Sequence, residues 1–158
     1  MRSDLKFFHI LFFFLCTQVI LAEKVEIVSD TMHTEGLKKE VHFVGHAKVK
    51  KEQDWIHADT IIVFFNENNE TKKYKAIGNV DFEFKSEKGH YKGKADRVEY
   101  FPLKSLYILT GKANVDDLLN KRSVKGDKIT VDMLSGDSIV EGSQKKPVKF
   151  IFEMKDEK

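Results

Sequence analysis

Five histidines beyond residue 22 and four regularly spaced aspartates are the groups with most chemistry to offer in this chain. His42 and His46 stand in an HxxxH spacing, which on a helix would let both imidazoles share a zinc ion. Their surroundings have the period of a strand instead. Val41, Phe43, Gly45, Ala47 and Val49 fall on one side, with His42, His46, Lys48 and Lys50 on the other. On a strand the two histidines are about 13 Å apart, at about 3.3 Å per residue, and cannot share one ion. His33, His57 and His90 are scattered, without a cysteine or a carboxylate cluster nearby, so no metal site is expected. There is no Gly-rich phosphate loop, no Gly-x-Ser-x-Gly elbow and no nucleophile with a partner base. The expectation is a protein that is not an enzyme, with no catalytic residues and no cofactor. Asn69-Glu70-Thr71 matches a glycosylation triplet, which carries weight only in a eukaryotic secreted protein.

The aspartates follow a rule. Asp30, Asp59, Asp96 and Asp127 precede Gly45, Gly78, Gly111 and Gly142 by 15, 19, 15 and 15 residues. The polar insert Asn66 to Glu70 accounts for the longer separation. The glycines are 33, 33 and 31 residues apart, a period that signals a stacked repeat. Four similar carboxylates at repeat spacing point to architecture, since a catalytic site would single out one or two. Gly permits a bend, and Asp is expected to cap a strand start or to bond a turn amide.

The elements that carry these residues are strands. Asp59, Ile61, Val63 and Phe65 are expected on one face. So are Val80, Phe82 and Phe84, against Asp81, Glu83 and Lys85. Val98 and Tyr100 oppose Arg97 and Glu99, and Ile129, Val131 and Met133 oppose Lys128, Thr130 and Asp132. Val148 to Met154 makes a last strand. One wet and one dry face is the pattern of antiparallel sheets. Turn signals between the runs give about nine strands, and only residues 114–121 suit a helical turn. Several runs reach 11 to 13 residues and contain Gly at matching places, including Gly93. Such glycines mark bends, so the strands are expected to pass from one sheet to another in a folded-over sandwich or jelly roll. Trp55 is expected at the core or rim, on the face of Asp59 and Ile61. The dry face is rich in Phe and admits two readings, a self-filled core or an interior open to an apolar ligand.

The 158 residues fit one domain. Met1 to Ala22 has a basic start, an apolar stretch from Phe7 to Leu21 and a small residue at its end, the pattern of a secretory signal. The alternative is a retained anchor, although the stretch is short for a membrane span of about 20 residues. Cys16, the only cysteine, lies inside it, and Leu15 before it is too large for a lipoprotein site. Removal of residues 1–22 leaves a net charge of +1, with no basic face for nucleic acid. Residues 155–158 form a charged tail.

The units ADTIIV (58–63) with IGNVDF (77–82), ADRVEY (95–100) with TGKANV (110–115), and GDKITV (126–131) with VEGS (140–143) resemble the OstA/LptA family of periplasmic lipopolysaccharide-transport proteins. The resemblance covers residues 24–154. It implies an all-β, open-ended twisted β-jelly roll over residues 23–154, in the periplasm. The implied cargo is lipopolysaccharide, its lipid A acyl chains held inside the roll. The implied partners are an inner-membrane LptC-like protein, an outer-membrane LptD-like translocon and further copies of the chain, stacked head to tail. The apolar lining expected to meet acyl chains is Phe43, Ala47, Val49, Ile61, Val63, Phe65, Val80, Phe82, Phe84, Val98, Tyr100, Leu109, Ala113, Val115, Ile129, Val131 and Met133. Two alternatives stand beside it: an LptC-like member that keeps its N-terminal anchor, and a structural β-repeat protein with no ligand.

Overall fold

Alternating side chains commit nearly every segment to extended backbone, and the computed structural model, which describes residues 24–87 and 89–155, is built almost wholly of strands. The expected signal at residues 1–22, Cys16 within it, and the end of the tail lie outside the described residues. The strands are β1 (Glu26–Val28), β2 (Thr31–Glu35), β3 (Glu40–Lys51), β4 (Asp54–Phe65), β5 (Thr71–Ser86), β6 (Gly89–Phe101), β7 (Leu106–Asp117), β8 (Arg122–Asp132), β9 (Ser138–Glu141) and β10 (Lys149–Phe152). A single 3-10 turn, Pro102–Lys104, joins β6 to β7. The helical turn expected over residues 114–121 does not form. β7 runs on to Asp117, whose carboxylate accepts bonds from Asn120 and Arg122 and closes a tight turn instead.

All ten strands belong to one antiparallel sheet, in the order β1-β3-β4-β5-β6-β7-β8-β10, with β2 added beside β3 and β9 beside β8. A single sheet has no second layer to cover its dry face. Yet Ala47, Ile61, Val80, Ala113 and Ile129 are at most 2% exposed. Burial that deep requires the sheet to cover itself. Each long strand runs through two half-sheets. The first holds β2, residues 40–44, 60–65, 71–77, 97–101, 106–110 and 128–132, and β9. The second holds β1, residues 47–51, 54–58, 80–86, 89–95, 113–117 and 122–126, and β10. The Phe84 ring, in the second half, lies 5.5 Å from that of Tyr107, in the first, so the halves face each other.

The crossing point is the Asp–Gly repeat. The register shifts at Val44/Ala47, Ile77/Val80 and Thr110/Ala113, the stretches that contain Gly45, Gly78 and Gly111. These three glycines have φ of +84°, +83° and +82°, and His46, Asn79 and Lys112 after them are also left-handed. Such bulges bend a strand and increase its twist. Opposite each glycine is the aspartate fifteen or nineteen residues earlier. A Cβ on Gly78 would sit 2.4 Å from Asp59 Oδ2, and Gly45 and Gly111 meet Asp30 and Asp96 in the same way. The aspartates therefore stand at the corners: Asp59 and Asp96 lie inside long strands, while Asp30 directly precedes β2, a strand start as expected. At the fourth position Gly142 has an ordinary φ, and the chain leaves the sheet until β10 begins at Lys149.

The corners also break the period of two. In β4 both Ala58 and Ile61 are buried, although they are three residues apart, and Asp59 between them is exposed. The expected common face of Asp59 and Ile61 is therefore wrong. The Trp55 ring meets His57 and Lys48.

Gly78→Ala combines a left-handed φ with a Cβ pressed on Asp59, and it is expected to lower stability by about 1–3 kcal/mol. Gly36→Ala, in open space, is expected to change it by about 0.5 kcal/mol or less. Urea denaturation of the two variants checks the difference.

Candidate functional site

Beside the corners the two halves converge, and the inward residues there are small: Ala47, Ala58, Ala76, Ala95 and Ala113, all buried. Farther from the corners the inward positions carry Phe84, Tyr100 and Tyr107. The interior is thus a wedge, narrow at the fold and wide at the far ends of the strands. A cavity of about 290 Å³ lies at the wide end. Val49, Ile56 and Phe84 line it from the second half, and Ile61, Tyr74, Ala76, Val98, Tyr100 and Tyr107 from the first. Trp55, Asp54, Lys51, Thr71, Pro102 and Val25 complete the wall toward the mouth.

The cavity wall is aromatic because register aligns it. Tyr74 pairs with Tyr100, and Tyr100 pairs with Tyr107. Their rings stack at 6.2 Å and 4.3 Å between centroids, and Phe82 stacks on Phe84 at 4.9 Å. Offset aromatic contacts of this kind add about 0.5–1.5 kcal/mol each beyond area burial. Burial pushes the Tyr107 hydroxyl well above the usual tyrosine range, helped by the neighbouring Tyr100 hydroxyl and the Asp54 charge.

Of the residues expected to form the lining, Val49, Ile61, Phe84, Val98 and Tyr100 border the cavity. Ala47, Val80, Phe82, Leu109, Ala113 and Ile129 are packed in the closed core, and Phe43, Val115 and Val131 pack against it. Val63 is buried, and Phe65 is half-buried beyond a register shift at the end of β4. Met133 is a correction. It falls after the end of β8 and is 58% exposed, so it faces solvent and does not line the interior. Tyr74, Tyr107, Ile56 and Ala76 were missed. The three tyrosines come from three strands, and only the register, which the strand pattern alone leaves open, puts them side by side.

The histidines are also rearranged by pairing. His33 is directly opposite His42 across the β2–β3 hairpin, and Glu35 is opposite Glu40. Three donor groups, from His33, Glu35 and His42, come within 4.8 Å of one another, where the sequence suggested scattered residues. His46 pairs instead with Asp30 at the first corner, 2.8 Å away, and this bond raises its pKa.

Both lateral edges of the sheet are open. Among the described residues no pairing joins β1 or β2 to β9 or β10. β10 exposes Phe150, Ile151 and Phe152.

An open-ended antiparallel sheet, folded on itself around a largely apolar cavity, defines an open β-jelly roll. The chain matches the family model described as LptA/(LptD N-terminal domain) LPS transport protein over residues 26–137, and it belongs to that family. Its fold is similar to a crystal structure of LptH, described as the LptA-homologous periplasmic component of the lipopolysaccharide transport device of Pseudomonas aeruginosa. The TM-score is 0.72 at 14% identity, over 84% of this chain and 96% of that one. No curated protein matches.

Because Tyr107 is held neutral, its contribution to stability is complete below the ordinary tyrosine pKa of about 10 and fades as pH rises through the raised value. An alkaline absorbance titration is expected to show one tyrosine ionising after the rest. In Tyr107→Phe that late step disappears.

Proposed function

We propose that the chain is a periplasmic carrier that shields lipopolysaccharide acyl chains in its interior and forms part of a bridge between the inner and outer membranes. The observation that carries this reading is the wedge, with its closed Ala-lined vertex and its aromatic cavity open at the wide end. Apolar surface removed from water there stabilises a bound chain by about 25 cal/mol per Å². The cavity is at the lower end of ligand-pocket sizes, about 300–1,000 Å³. A long acyl chain exceeds it, so the cargo must extend out of the mouth and along the trough. Family membership supports lipopolysaccharide as the cargo. Residues 1–22 serve as the cleaved export signal on this reading. Binding alone is required, and the energy for movement comes from partners.

The free edges supply the means of stacking. Unpaired strand edges accept a further strand from another chain. The β1/β2 edge of one copy pairs with the β9/β10 edge of the next, and LptC-like and LptD-like partners take the two terminal edges.

A photo-crosslinking residue at Phe84 or Tyr107 is expected to capture lipopolysaccharide, while one at Lys92, on the outer face, is not. Equal capture at the inner and outer positions would remove the interior site. The stacking arm is tested separately. Phe150→Lys with Phe152→Lys is expected to shift the chain to monomer in light scattering at concentrations where the unchanged chain self-associates. An unchanged mass distribution argues against β10 as the contact.

A further inference from the structure

The β2–β3 hairpin carries a cluster that the interior does not use. β2 and β3 pair so that His33 faces His42 and Glu35 faces Glu40. Met32 and Thr34 alternate with the first pair of ligand types and share the face of Phe43 and Val41, so the His and Glu side chains lie on the outer face. The two imidazoles stack with centroids 4.7 Å apart and planes 15° from parallel. Their Nε2 atoms are 3.9 Å and 3.7 Å from the same oxygen, Glu35 Oε1. Both separations exceed a hydrogen bond, whose donor–acceptor distance is about 2.7–3.2 Å. Glu40 Oε2 lies 2.9 Å from His42 Nε2. Lys38 binds the other Glu35 oxygen at 2.7 Å, which fixes the carboxylate and keeps its pKa low.

We propose that His33, Glu35 and His42 form a site for a divalent transition-metal ion such as Zn²⁺ on the outer face of this hairpin. The donor chemistry fits. Two neutral imidazoles and carboxylate oxygens suit zinc, with bond lengths of about 2.0–2.2 Å. The donor atoms of His33, Glu35 and His42, within 4.8 Å of one another, reach a common centre by small side-chain rotations. An ordinary ion-pair network also brings His and Glu together, as at His90 and Glu83, 2.7 Å apart. The β2–β3 cluster differs because two imidazoles converge on one oxygen that neither bonds. His42 and Glu40 are mostly covered, with side chains 17% and 20% exposed, while His33 leaves the site open to solvent for metal entry.

The site has a structural consequence. β2 is an edge strand of five residues that pairs only with β3. β2 contributes His33 and Glu35 and β3 contributes His42, so a bound ion clamps the edge strand to the sheet. Metal bound only to the folded chain raises its stability with the logarithm of free metal above the dissociation constant.

The test is calorimetric titration of ZnCl₂ into the untagged, chelator-treated chain near neutral pH. One saturable site is expected, with a Zn²⁺-dependent rise in melting temperature. His33→Ala and His42→Ala are each expected to weaken binding by about tenfold or more. His57→Ala and His90→Ala, whose imidazoles face Asp81 and Glu83 elsewhere, are expected to leave it within about twofold. His33 is exposed, so its variant keeps the fold, and a melt without metal verifies this. Co²⁺ in place of Zn²⁺ is expected to give visible absorption bands that His33→Ala abolishes. Non-saturating heats, or an affinity unchanged in both His33→Ala and His42→Ala, overturn the site.

Discussion

The fold depends on a left-handed corner made three times over. A sheet with one dry face must bury it against another layer, and among the described residues there is no helix beyond one 3-10 turn. The sheet must serve as its own second layer. Gly45, Gly78 and Gly111 reach φ above +80° at little steric cost, and each leaves room that an aspartate carboxylate fills from the neighbouring strand. The residue after each glycine is also left-handed, which is unfavourable for His46, Asn79 and Lys112. His46 and Asn79 recover part of that cost through side-chain bonds to Asp30 and Asp59. The corner is therefore a four-part unit of Asp, Gly, a left-handed residue and the strand pairing around them.

From the corner follows the size gradient of the interior. Two half-sheets that diverge from a common vertex leave little space near it and more beyond. Alanines occupy the near positions and aromatic rings the far ones. Fully burying Ile61, Val80 and Ile129 supplies about 1.5–3 kcal/mol each. That packed zone holds the wedge shut at its vertex. The cavity is what remains where Phe84, Tyr100 and Tyr107 no longer fill the widening gap. Core and cavity are two ends of one geometric series, packed beside the corner and open beyond it.

Much of this was legible in the residues. Alternation revealed the strands, and the Asp–Gly spacing revealed the corners, because both are short-range patterns imposed by backbone geometry. The spacing reports a pairing directly, since Asp59 and Gly78 are opposed across the β4–β5 hairpin. What alternation missed was the change of phase at each corner. Ala58 and Ile61 both point inward because β4 has two residues, Asp59 and Thr60, where β3 spends three. Nothing in Asp59-Thr60 itself announces this. Met133 was misplaced because alternation cannot show where a strand stops. Tyr74 with Tyr107, and His33 with His42, are cross-strand neighbours, and register decides such pairs.

The two edges of the sheet are chemically different, and this constrains any assembly of the proposed kind. One edge is β1 and β2, short strands divided at Asp30, with polar Thr31, His33 and Glu35. The other is β9 and β10, divided after Gly142, with the exposed pair Phe150 and Phe152. Each edge is interrupted at its corner, so each presents two short strands set at the same bend as the sheet between them. A neighbour can pair with both only if it carries the complementary bend. A second copy of this chain does. Because the edges differ, the contact joins unlike surfaces, and such head-to-tail contacts propagate as open filaments unless the rotation closes a ring. In the proposed stack the half-sheets of successive copies would continue one another, and the trough between them would run on from copy to copy. The corner that lets one chain cover its own dry face is thus also the shape that a stack must preserve.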